Sequence, residues 1–361
     1  MKVFRRLCRA ALTALFVSAV AFCHSVSAAG NTVPSMPLQE EMQYLTTSRL
    51  AEEENLLAIL WVQRSAEFRG LSYQAYNLAA MEVDKALAQR RKKEKVLRKM
   101  KENSSMQPNH LRPLAVVLDI DDTIICNAPF EVFFIEHPEM KVNFDVWNQW
   151  ITKHNELLPG AVDFLKYADE RGLQIFYVTG RGPQDKDVTA RFLQKAGLPF
   201  TDETHLLMND RSGSKMNQFT KLARRYDIIC YLGDNVGDFP IEAVRDENEI
   251  KYLKTTDNKI KNDSAGGHSS LKNTEQDDVK TNRPMPLDIS ATLKHDKNKK
   301  RNAIIDANKK LFGTKFILLP NPMYGDWERN LAKKYRKLPA EQRIALRKAA
   351  LKSFEFKEET K

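Results

Sequence analysis

The sequence predicts an α/β fold built on a parallel sheet, with helices on both faces. Two observations carry that expectation. Short apolar runs at 114–118, 173–178, 204–208, 228–232 and 315–319 alternate with stretches of helical periodicity. Such alternation argues for parallel strands joined by helical crossovers. Several of these runs also break abruptly into polar residues. Buried parallel strands read as near-continuous apolar runs, and in open α/β sheets ligands bind beyond their carboxyl ends.

Taken in chain order, residues 1–28 stand apart from the fold. Lys2, Arg5, Arg6 and Arg9 form a basic start, Ala10 to Cys23 is apolar, and Val26-Ser27-Ala28 offers a small-residue cleavage site. This is the pattern of a secretory signal peptide, with a mature start near Ala29. The apolar stretch is short for a membrane span. Phe22 ahead of Cys23 argues against lipid attachment there, since that site needs a small residue. The expectation is an exported protein, periplasmic or secreted.

Residues 29–113 read as an N-terminal helical segment and linker. Residues 37–102 are nearly free of Gly and Pro, and Leu56, Leu57, Leu60, Trp61 and Arg64 are assigned to one helical face. The core is expected over 114–328, with crossover helices near 159–171, 185–196 and 215–226. Pro159 and Gly172 suit the start and end of the first. Residues 128–158 are too long for an ordinary loop and carry Phe133, Phe134, Phe144, Trp147 and Trp150, so they read as a small cap. Residues 255–302 are polar, with Gly-Gly, Ser-Ser and a lysine run, and are expected to be a disordered insertion. Residues 329–361 form a basic C-terminal helical extension.

A hydrophobic fraction of 42% supports a real core, and the net charge is +10. The excess is concentrated at Arg90–Lys101 and beyond Arg329. Without a zinc-finger or RNA-recognition signature, such runs read as solvated helix faces rather than a nucleic-acid site. Beyond the signal peptide the cysteines are Cys126 and Cys230, expected to be buried free thiols.

The strand ends carry the chemistry. Asp119-Ile120-Asp121-Asp122-Thr123 follows the first run. Two carboxylates two residues apart suit a nucleophile paired with a proton-transfer group. The second run ends in Thr179-Gly180-Arg181, and the fourth in Gly233-Asp234-Asn235-Val236-Gly237-Asp238. Lys215 follows a Ser/Gly-rich turn at a helix start. Each alone could cap a helix or close a turn. In this order they supply a nucleophile, a phosphate-binding hydroxyl, a phosphate-binding cation and a metal ligand.

This set resembles the haloacid dehalogenase (HAD) superfamily, on its phosphatase side. Asp119 to Thr123 with Asn127, then Gly233-Asp234-Asn235-x-x-Asp238-Phe239, is similar to the paired signature of class C bacterial acid phosphatases. Trp61 to Phe68, Gln74-Ala75-Tyr76 and Pro320 to Glu328 extend the resemblance. Asp122 departs from the family's usual Glu, and Gly180 from an Asn that often precedes the Arg.

The resemblance implies an exported, metal-dependent acid phosphatase cleaving small phosphate monoesters through an aspartyl-phosphate, with nucleoside 5'-monophosphates a candidate substrate. It implies Asp119 as nucleophile, Asp121 as general acid/base, and Thr179 and Lys215 as phosphoryl-binding catalytic groups. One Mg²⁺ would be held by Asp119, Asp234 and the main-chain carbonyl of Asp121, with Asp238 orienting Lys215 or a metal-bound water. Arg181, Trp147 and Tyr324 are the candidate substrate contacts. The alternatives are a surface binding or uptake protein, or a polyanion-binding protein, with an incidental phosphatase site.

Overall fold

The computed structural model describes residues 50, 53–103, 111–137, 140, 144–153, 156–210, 214–241 and 287–353. The chain divides into Met1–Tyr44 and Leu45–Lys361, and every described residue belongs to the second unit. The expected signal peptide and residues 255–286 of the expected insertion lie outside the described residues.

The strands are β1 (Leu114–Leu118), β2 (Gln174–Val178), β3 (Leu206–Leu207), β4 (Asp227–Gly233) and β5 (Phe316–Leu318). They form one sheet in the order β3-β2-β1-β4-β5, with every pairing parallel. β1 is central, which explains why Ala115 to Leu118 are wholly buried. Alternate residues feed two cores, as the two-residue period of a strand requires. Val116, Leu118, Ile175, Tyr177, Cys230, Leu232 and Ile317 face one. Ala115, Val117, Phe176, Val178, Tyr231 and Phe316 face the other.

The first face is covered by α2 (Ala66–Asn103), which follows α1 (Leu56–Arg64). Phe68, Ser72, Ala75, Tyr76, Ala79 and Val83 of α2 are buried at the spacing of one helical stripe. Ser72 donates to the main-chain oxygen of Pro159 at 2.9 Å, tying α2 to the crossover that follows the cap. The expected face of α1 is corrected. Leu56, Leu57 and Leu60 are exposed, while Ile59 and Val62 are buried. Leu56 to Val62 is apolar all round, so periodicity alone cannot choose the side that docks.

Helices α3 (Ala128–Glu136) and α4 (Phe144–Lys153) occupy the region read as a cap. Its aromatics largely pack on one another: the Phe130 ring lies 5.0 Å from Phe134, 5.2 Å from Trp147 and 5.1 Å from Trp150. The crossover helices are α5 (Ala161–Glu170), α6 (Lys186–Lys195) and α7 (Met216–Arg225). Gly160 precedes α5 at φ +88°, the left-handed region that glycine tolerates.

The expected disordered insertion is also corrected at its C-terminal end. α8 (Ile289–Leu293) and α9 (Asn298–Ala307) are helical. Leu287, Ile289 and Leu293 pack against Leu331, Ala332, Tyr335 and Leu346, while Ile304 and Ile305 pack on the second face of the sheet. Few apolar residues suffice because each helix buries only one narrow side. α10 (Asp326–Arg329) and α11 (Ala340–Ala350) complete the fold. Arg347 of α11 pairs with Glu328 at 2.6 Å and Glu54 at 3.0 Å.

Cys126 and Cys230 are free and buried, and burial pushes both thiols up to about 12, so they stay neutral. Among the described residues no helix is long and apolar enough to cross a membrane.

Candidate active site

The site forms where β1 and β4 end side by side. The N–H of Asp119 donates to the Leu232 oxygen at 2.9 Å, carrying the sheet pairing one residue past β1. The chain then coils tightly. Ile124 and Ile125 both donate to the Ile120 oxygen, at 2.8 and 3.0 Å, and Asp122 sits at φ +48°. Asp visits this left-handed region more readily than most residues. The Tyr76 hydroxyl donates to the Thr123 oxygen, so α2 clamps the loop from behind.

On the β4 side, Gly233 is required. A Cβ there would come within 2.2 Å of the Asp238 Cβ. Without it, the turn at 236–238 folds back over the strand, and Asp238 accepts from the Asn235 N–H at 2.9 Å. The result is a compact acidic cluster. Carboxylate oxygens of Asp119, Asp234 and Asp238 all lie within 4.8 Å of one another. Lys215, immediately before α7, bonds Asp119 and also Asp238, the latter at 2.7 Å. Asn321 donates to Asp234 at 2.7 Å.

Asp121 faces a different environment. Arg181 grips it with Nε at 2.9 Å and Nη2 at 2.8 Å, and Asn127 donates to it at 3.0 Å. Nη1 of Arg181 goes to Thr189 at 2.9 Å, and the guanidinium lies 4.6 Å from the Trp147 ring centre. Thr179 is buried at the end of β2, and its hydroxyl accepts from the Arg181 N–H at 3.2 Å.

Tyr324 donates its hydroxyl to Asp122 and accepts from Asn127 at 2.9 Å. Asn127 therefore ties the side chains of Asp121 and Tyr324 together.

These surroundings separate the acids electrostatically. Burial pushes Asp119 up to about 7, against the pull of Lys215, with Asp238 and Asp121 adding to the rise. Burial, then Asp238 and Asp119, holds Asp234 well above the carboxylate range. For Asp121 burial also pushes upward, but the Arg181 charge and its hydrogen bonds, with Asn127 and Lys215, together outweigh it and the net direction is down. Burial disfavours the Lys215 ammonium, yet Asp119 and Asp238 keep it charged above its usual range.

A cavity of about 660 Å³ opens here, with Asp119, Asp121, Thr179, Lys215, Asp234 and Tyr324 on its wall. Arg181 and Trp147 are not among the residues of that wall. Arg181 bonds Asp121 and Thr189, which fixes the orientation of the Asp121 carboxylate. Asn127, Asn321 and Arg301 also hold places in the site, with roles that the sequence does not assign. The first two lie inside the family-like motifs, and Arg301 follows the run Lys297-Asn298-Lys299-Lys300.

The donor set fits a hard divalent cation. Such ions take oxygen ligands, and these three carboxylates converge with the Lys215 ammonium bonded to Asp119 and Asp238 but with no ion pair to the half-buried Asp234 among the described residues.

Comparison with known proteins agrees with this geometry. The model of the HAD superfamily, subfamily IIIB (acid phosphatase), matches residues 27–327. The class C acid phosphatase of Bacillus anthracis superposes with a TM-score of 0.59 at 26% identity, covering 85% of this chain and 100% of that one. The same enzyme with tungstate bound gives 0.59 at 27%.

By sequence, a class B acid phosphatase of Aggregatibacter actinomycetemcomitans is 33% identical over 96 residues, or 23% of this chain. One from Haemophilus parainfluenzae is 34% identical over 92 residues. In both cases the match spans 39% of the relative's length. With its parallel sheet, strand-end acids and a family match over most of its length, the chain belongs to the HAD superfamily, subfamily IIIB, of acid phosphatases.

Proposed function

We propose that this protein hydrolyses small phosphate monoesters through an aspartyl-phosphate on Asp119, and that it is a class C-type enzyme. The observation that carries this reading is the convergence of Asp119, Lys215, Asp234 and Asp238 on one cavity, with Asp121 beside them. The class C assignment is supported by a structural likeness over 85% of the chain, against 23% for the class B matches.

In the first step a carboxylate oxygen of Asp119 attacks phosphorus in line with the ester oxygen. The phosphorus–oxygen bond to the leaving group breaks, and Asp121 gives that oxygen a proton. In the second step Asp121, now a carboxylate, takes a proton from water. The resulting hydroxide attacks phosphorus, freeing Asp119 and inorganic phosphate. Lys215 and Thr179 hold the phosphoryl oxygens as charge develops. Asp238 and Asn321 keep Lys215 and Asp234 in place. Arg181 favours the carboxylate form of Asp121, so the proton the first step needs becomes available as pH falls. Asp119, Asp234 and the main-chain carbonyl of Asp121 would hold one divalent cation, magnesium by ligand type, which supplies charge neutralisation when bound.

The test is turnover of a chromogenic aryl phosphate and of a nucleoside 5'-monophosphate. Magnesium is expected to support hydrolysis, and chelation to abolish it reversibly. Full activity after exhaustive chelation would overturn the metal assignment. No turnover of any monoester by folded, magnesium-loaded protein would overturn the catalytic one.

Export is proposed on the basic start, the apolar stretch and Val26-Ser27-Ala28. The mature protein is expected to begin near Ala29, by N-terminal sequencing. A lipid-modified Cys23 at the mature terminus would reject the soluble form.

A further inference from the structure

The catalytic cavity does not end at the acidic cluster. Its wall continues through Asn235 to Lys300, Arg301 and Ile304 of α9. Arg301 is only 8% exposed. Its Nε and Nη1 are buried with no hydrogen-bond partner among the described residues. Nη2 reaches Asn235 Oδ1 only at 3.4 Å, beyond the ordinary N–H···O range. Asp326 is the acid whose charge Arg301 feels, but no hydrogen bond or ion pair joins them among the described residues, and Asp326 lies 3.8 Å from Arg329.

An arginine cannot shed its charge, and buried polar groups in native proteins nearly always have partners. Two nitrogens of this guanidinium lack them. The position adds to the imbalance. The first turn of α9 holds no acid, while Lys299, Lys300 and Arg301 follow one another there. Cations at a helix N-terminus oppose the helix dipole. Asp296 already accepts from the Asn298 N–H at 2.8 Å at the start of α9, so the side chains, rather than the helix terminus, would stabilise an anion here. Arg301 also reaches Asn235, the residue directly after Asp234, so an anion held there would share the catalytic cavity.

We propose that Arg301, with Lys300 beside it, forms a second anion subsite, and that the preferred substrates are phosphate monoesters bearing a second phosphate away from the scissile one. This inference rests on the phosphomonoesterase reading above. A planar guanidinium matches a pair of phosphate oxygens, and the charges of Arg301 and Lys300 suit a dianion better than a carboxylate.

The experiment uses the full-length, magnesium-loaded protein. The probes are α,ω-alkanediol bisphosphates of graded chain length and the monophosphates of the same alcohols, compared by kcat/KM. The bisphosphate of the length that spans both subsites is expected to be favoured by about tenfold, mainly through KM, the equivalent of about 1.4 kcal/mol. In Arg301→Gln the ratio should fall to about two, the statistical factor for two equivalent ends. Arg301→Lys keeps the charge but loses the fork, so it should retain only part of the preference. It also serves as the readout if the Gln variant does not fold.

A wild-type ratio near two at every length overturns the subsite, and so does an unchanged ratio in the folded variants. Failure to hydrolyse even the monophosphates sinks the catalytic reading itself, and the subsite with it.

Discussion

Asp119→Asn is expected to lower kcat for every phosphate ester by at least about 10⁴-fold, the scale seen when a covalent nucleophile is removed. The loss should not depend on the leaving group, because an amide oxygen is a poor nucleophile whatever bond must break. The same substitution also takes one carboxylate out of the set that would hold the cation. The fold should survive. Asp119 directly follows β1, its main-chain bond to Leu232 does not involve the side chain, and Asn is nearly isosteric. Lys215 keeps Asp238 as a partner. Three carboxylates within 4.8 Å repel in metal-free protein, and the variant removes one of those charges. Its melting temperature in chelator should therefore match or exceed that of the wild type. Substantial turnover by folded Asp119→Asn would remove Asp119 from the nucleophile role. A large drop in melting temperature would mean the activity loss reports on the fold.

Features that depend on neighbours along the chain are legible in the sequence. An apolar run breaking into Asp119-Ile120-Asp121, or into Gly233-Asp234, marks a strand end and its chemistry within a dozen residues. All five apolar runs became strands of one parallel sheet for the same reason. What stays hidden is a residue's remote partner. Arg181 follows Thr179 at a strand end, and nothing near it in the chain shows that it grips Asp121, sixty positions away, bidentately. Asn321 lies close to Asp234 only because β5 pairs with β4. α1 carries apolar residues all round, so its docking side is decided by the surface it meets. Arg301 is hidden in a lysine-rich stretch. Its burial follows from Ile304 and Ile305 packing α9 onto the sheet, a contact that local composition does not announce.

Asp121→Asn is expected to give a graded loss. Removal of a general acid/base costs roughly 10²–10⁴-fold, and the requirement for it rises with the basicity of the leaving oxygen. Alkyl and nucleoside phosphates leave as strongly basic alkoxides and should lose the most in the first step. Aryl phosphates leave as weakly basic phenolates and should lose less. The second step lacks its base for every ester, since the same phosphoryl-Asp119 must be hydrolysed each time. With an aryl phosphate the phospho-enzyme should therefore form and then persist. A burst of phenolate, one per active site, should precede slow turnover.

Asn at 121 can still accept from Arg181 Nε or Nη2, although the bidentate charge pairing is gone, so gross displacement of the loop is not expected. Rapid-quench mass spectrometry of Asp121→Asn mixed with an aryl phosphate would look for the adduct and its position. Phosphate on Asp119 with a burst supports both assignments. Equal losses for alkyl and aryl esters, without accumulation, would show that Asp121 is not the proton carrier. Covalent phosphate on any other residue would overturn the pairing of roles altogether.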